Sequence, residues 1–97
     1  MRTEIIQLEQ LGQLPPEREV TLDRLKVYEK LLHLIGSSVS NDEARVIAKL
    51  FGQNHDSCFG IAWRLIHLIE TAPDWPLKDC LKNPSNVWIN VLRGRAI

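Results

Sequence analysis

Four side chains with metal-ligand or nucleophile chemistry lie in the second half of the sequence: His55, Cys58, His67 and Cys80. Zinc sites in small domains are built from close ligand pairs, two to four residues apart and used twice. Here only His55 and Cys58 make such a pair, so the spacing predicts no metal centre. A nucleophilic Cys58 activated by a histidine is the second possibility. A helix start favours the thiolate, but Phe59 and the apolar run behind it point to burial instead. Ser57 has no G-x-S-x-G setting and reads as part of a helix start. Carboxylates beyond the second segment are Asp42, Glu43, Asp56, Glu70, Asp74 and Asp79. Asp42, Glu43 and Asp56 suit helix N-termini. Glu70 falls in a last helical turn, where the dipole opposes a negative charge by about 0.3–1 kcal/mol. It calls for a compensating partner, such as an indole N–H or a cation. A single carboxylate without a second acid, metal or cofactor is not a catalytic set. The glycines stand singly, so no phosphate-cradling loop exists. The expectation is a protein that is not an enzyme and binds no metal or cofactor.

The elements that position these residues follow from the punctuation. Ile5, Ile6, Leu8 and Leu11 make a short first helix from Thr3 to about Leu11, ended by Gly12 and Pro15-Pro16. Leu22, Leu25, Tyr28, Leu32 and Ile35 recur at three- and four-residue steps, with Leu31 widening the stripe, and predict an amphipathic helix over 22–35. Thr21 caps its start and Gly36 suits its end. Ser40-Asn41-Asp42-Glu43 fits a capping box and opens a third helix that Gly52 stops. The fourth segment, from Asp56 or Ser57 to Thr71 or Ala72, leaves only a narrow polar stripe of Gly60, Arg64, His67 and Thr71, with Glu70 beside it. A helix apolar around most of its circumference is surrounded by others, and Trp63 reads as core. Leu77, Cys80 and Leu81 form a short turn, and a last helix begins at Ser85 or Asn86. Trp75 lies in a loop, either clamping the end of the fourth helix or exposed as an anchor. Strand alternation and hairpin dipeptides are missing. The predicted fold is all-α, a single domain over 1–97, with four or five short helices around a central one at about 57–72.

Composition narrows the function. Ninety-seven residues make one domain. Twelve Lys and Arg against twelve Asp and Glu leave no net charge, which disfavours bulk attraction to nucleic acid or anionic lipid. Arg93 and Arg95 alone make too small a patch for DNA. The 44% hydrophobic content excludes disorder. The longest apolar stretch, Phe59 to Ile69, is about half a membrane span and contains Arg64 and His67. With no signal-peptide core at the start, a cytoplasmic chain with two free thiols is expected.

Three phrases then carry a resemblance: Cys58–Trp63 (CFGIAW), His67–Pro73 (HLIETAP) and Trp75-Pro76. They stand within the stretch from Leu50 to Pro76, about a quarter of the chain. They resemble a family of small helical immunity proteins from bacterial polymorphic-toxin and contact-dependent growth-inhibition systems. The resemblance implies a cytoplasmic protein that binds a cognate toxin domain, typically a nuclease, and occludes its active site or an adjoining surface. It assigns no contact residues. A basic nuclease cleft is complemented by acids, which selects two candidate edges: Asp42 and Glu43 with Asp56, and Asp74 and Trp75 with Asp79. The expected partner is the toxin protein, with no direct nucleic acid, membrane or small-molecule ligand. A general helical interaction or oligomerisation module explains the composition equally well.

Overall fold

The capping signals give the clearest start. The computed structural model describes residues 2–36, 38–52, 60–81 and 86–95. Its helices are α1 (Thr3–Leu11), α2 (Leu22–Ile35), α3 (Asn41–Ala48), α4 (Ile61–Glu70) and α5 (Val87–Arg95), with a 3-10 turn at Lys78–Leu81 before α5. No strand occurs among the described residues. Thr21 Oγ1 accepts from the Arg24 N–H at the start of α2. Ser40 and Glu43 form the reciprocal capping box at α3. Asn86 starts α5, its side-chain oxygen accepting from the N–H groups of Trp88 and Ile89.

The core is assembled around α4, six of whose ten residues are buried: Ile61, Ala62, Leu65, Ile66, Leu68 and Ile69. Helix α3 packs on α4, α1 lies against both α2 and α3, α2 touches α4, and the 3-10 turn supports α5. Tyr28, Leu31, Leu32 and Ile35 present the buried side of α2, while Leu22, in its first turn, projects to solvent. Each fully buried aliphatic side chain contributes on the order of 1.5–3 kcal/mol, so α4 dominates the apolar burial.

Two boundaries and one burial differ from the periodicity. Helix α4 begins at Ile61, because Gly60 adopts a left-handed conformation (φ 88°) through which an α-helix cannot continue; the predicted start at Asp56 or Ser57 lies outside the described residues. Helix α3 ends at Ala48, short of Phe51. The N–H groups of Lys49 and Leu50 bond back three residues, tightening the end, and the Leu50 carbonyl turns away to accept from the Leu14 N–H at 2.8 Å. Trp63 is not core: it is 42% exposed. The six aliphatic residues of α4 fill the inward arc, which turns Trp63, Arg64 and His67 outward. Trp63 packs its edge on Trp88 (centroids 5.2 Å apart, planes at 87°), and Trp88 stacks beside Phe51.

One polar cluster ties three helices. The Arg2 guanidinium donates to the carbonyls of Ile35 and Ser38, each at 2.8 Å, and to both carboxylate oxygens of Glu43. The Glu43 carboxylate also accepts from the Ser40 N–H at 2.9 Å. The side-chain hydrogen bond from Arg2 holds the Glu43 pKa down to about 2, aided by the backbone N–H groups of Ser40 and Arg2 and opposed by burial. Since the folded value lies below the ordinary 4.5, the stabilisation is complete above the unfolded pKa and is lost as pH falls from there toward 2. Glu43→Gln is expected to lower stability at neutral pH by about 1.5–3 kcal/mol and to flatten the acid dependence below about pH 4.5. Urea unfolding at neutral pH and near pH 3 measures both effects.

Candidate partner-binding surface

Of the acids singled out in the sequence, Glu43 is the one the structure withdraws. It is 6% exposed, and its carboxylate is engaged by Arg2 and Ser40. An acid in the third position of a capping box turns back on the helix start, so Glu43 organises the surface without belonging to it. Asp42, its neighbour, points out, with its side chain 80% exposed, and pairs with Arg45 one turn on at 2.8 Å. Asp56 lies outside the described residues. Asp79 belongs to the 3-10 turn, but its side chain lies outside them too.

Asp74 sits in the turn after α4, and the fold brings it to Asn41, beside Asp42. The Asn41 amide donates to the Asp74 carboxylate at 2.7 Å, and the Asp74 N–H donates to the Asn41 side-chain oxygen at 3.0 Å. A second stitch lies nearby: Thr71 Oγ1 accepts from the Val39 N–H at 3.1 Å and donates to the Leu68 carbonyl. The segment entering α3 is thereby fastened twice to the end of α4. Asp42 and Asp74, read in sequence as members of separate edges, are linked through Asn41, which precedes the one in chain and bonds to the other. Trp75, next in chain, is half-buried against the core, which supports its reading as a clamp more than as a free anchor. Sequence reasoning missed the role of Asn41, because a side chain reaching 33 residues away leaves no local pattern.

Glu70 has the compensating partner its position required. Arg95, near the end of α5, donates to Glu70 Oε1 from Nε at 3.0 Å and from an Nη nitrogen at 2.8 Å. Arg95 is therefore an internal tie between α4 and α5, leaving Arg93 on the exposed helix end.

Two concavities were not visible in the sequence. One, of about 260 Å³, lies between α2 and α4 and is lined by Leu32, Gly36, Arg64, His67, Leu68 and Thr71. The other, about 480 Å³, runs between α1 and α2. Among the described residues no three His, Cys, Asp or Glu side chains are grouped to hold a metal. His55 and Cys58, and the Cys80 side chain, lie outside them. Among the described residues, no helix is long and apolar enough to cross a membrane.

Compared with known proteins, the chain matches no family model, no curated protein and no solved structure. The phrases that prompted the family resemblance occupy structural positions. Ile61 and Ala62 begin the buried side of α4, Leu68, Ile69 and Ala72 finish it, and Trp75 closes over its end. Trp63, His67, Thr71, Pro73 and Pro76 are the exposed members among the described residues.

Asn41→Ala removes both bonds to Asp74. It is expected to raise the exchange rate of the Asp74 amide while lowering global stability by about 0.5–1.5 kcal/mol. Hydrogen exchange read residue by residue distinguishes this local release from general unfolding.

Proposed function

We propose that this chain is a binding protein without catalytic activity that neutralises a bacterial toxin domain in the cytoplasm by covering its active site or an adjoining surface. The similarity of its α4 phrases to small helical immunity proteins is the starting point. The observation that carries the reading is the Asn41 bridge, which holds Asp74 against the first turn of α3, the same turn that carries the exposed Asp42. Pre-positioned charges lose little conformational freedom on binding. Acids on a rim also steer a basic surface into place, acting mainly on the association rate. Because the whole chain carries no net charge, steering is local, within a screening length of about 8 Å at physiological salt. A nuclease cleft, lined with cations for its phosphate substrate, is the matching surface, and delivery by a contacting neighbour cell is the matching biology. A second reading, a helical interaction module without a toxin, draws on the exposed apolar row of α2.

Co-expression with a candidate toxin domain encoded beside this chain is the test. Growth rescue with a stable one-to-one complex is the expected result, and absence of both refutes the reading. Asp42→Lys with Asp74→Lys is expected to weaken the complex at least about tenfold, mostly by slowing association. Unchanged kinetics would remove this edge from the interface.

A further inference from the structure

The exposed side of α2 carries a second row besides the buried one. Asp23, Val27, Lys30 and Leu34 follow one another at steps of four, three and four residues, so they share a stripe along the helix. Val27 is 43% and Leu34 54% exposed, two apolar side chains on one stripe beside a groove rather than scattered singly. The row borders the groove of about 480 Å³, whose far wall is Gln7, Gln10 and Leu11 of α1. Asp23 and Lys30 flank Val27 and stand about 10 Å apart along the axis, too far to pair with each other. No hydrogen bond or ion pair within the described residues takes up either charge.

We propose that this groove is the contact face of a homodimer, in which a second copy of the chain lays its α2 antiparallel across the first about a two-fold axis at Val27. The charge order selects that occupant and that direction. A two-fold axis at Val27 brings Asp23 of each copy to the partner's Lys30, so two opposite-charge pairs form at once, while Val27 meets the partner's Val27. A parallel pair would set acid on acid and base on base. The row has no net charge, so it favours neither an acidic nor a basic foreign partner, whereas it is complementary to itself, as an isologous interface requires. Gln7 and Gln10, each both donor and acceptor, fit the polar margin of such a contact. The face also comes close to the necessary size. A 14-residue helix is about 21 Å long, and two packed helices span about 20 Å across. The projected area is on the order of 400 Å², against the about 500 Å² per partner that a specific interface takes as a minimum; side-chain relief raises the accessible area above the projected one.

None of the groove residues belongs to the acidic edge, so the inference stands independently of toxin binding. Sedimentation equilibrium on the purified chain, without any partner, tests it. The expected species is a dimer that dissociates on dilution. Val27→Glu should raise its dissociation constant at least about tenfold with an unchanged helical spectrum and melting profile. Asp23→Lys and Lys30→Asp should each weaken the dimer, and the double exchange Asp23→Lys, Lys30→Asp should restore it, since the order of charges is merely reversed. A chain that stays monomeric at all concentrations overturns the proposal. So does a dimer indifferent to Val27→Glu, or a double exchange no better than the single ones. So does a monomer whose α2 resonances shift only when the toxin domain is added.

Discussion

The structure depends on one charge-assisted junction more than on any other polar contact. Arg2, a single residue ahead of α1, reaches the end of α2 through the Ile35 carbonyl, the connecting segment through the Ser38 carbonyl, and the start of α3 through Glu43. A guanidinium supplies several donors in one plane, which lets one side chain satisfy exposed helix-end carbonyls and a buried carboxylate together. Glu43 in turn spends its remaining capacity on the Ser40 N–H, completing the cap of α3. The junction is cooperative in a structural sense. Without Arg2 the carboxylate is an uncompensated charge in a nearly buried place, and without Glu43 the guanidinium loses the group that aims it.

This junction and the apolar packing of α4 divide the labour. Burial of α4 supplies the non-directional drive, while directional bonds decide where the connecting segments run. Val39 on Thr71 and Asn41 on Asp74 fasten the entry to α3 against the exit from α4. Glu70 with Arg95 does the same between α4 and α5. The Asn86 amide donates to the Phe51 and Gly52 carbonyls at 3.2 Å, which places α5 on the residues that follow α3. Among the described residues no buried side-chain polar atom is left without a partner, as expected of a chain whose connections are anchored by specific bonds.

The surface follows from the same arrangement. Asp42 is exposed because Glu43, next to it on α3, turns inward, and Asp74 joins it because Asn41 bridges the turn after α4. On the opposite kind of surface, Val27 and Leu34 are exposed because the buried arc of α2 is already filled by Tyr28, Leu31, Leu32 and Ile35. A 14-residue helix with two apolar rows can satisfy only one of them within a single small domain. The acidic edge and the apolar row thus suit different kinds of contact: the first speed and orientation, the second area.

What the sequence by itself determined is the set of features encoded within a turn or two of chain. Thr21 and Ser40 start helices because a cap needs only an oxygen and an N–H two or three residues ahead, the last start narrows to Ser85 or Asn86 on the same ground, and the three-four spacing in 22–35 declares a helix whatever it packs against. The need of Glu70 for a partner was legible from the dipole, though the partner's name was not. Tertiary structure alone decided which of several apolar residues would stay outside. Trp63 looked like core because its segment is apolar over most of its circumference, and it lost that place to aliphatic side chains that fill the inward arc. The capping box already turned Glu43 back on the start of α3, but its burial against Arg2, 41 residues away, was decided by tertiary structure, and nothing in the local spacing records a partner so distant.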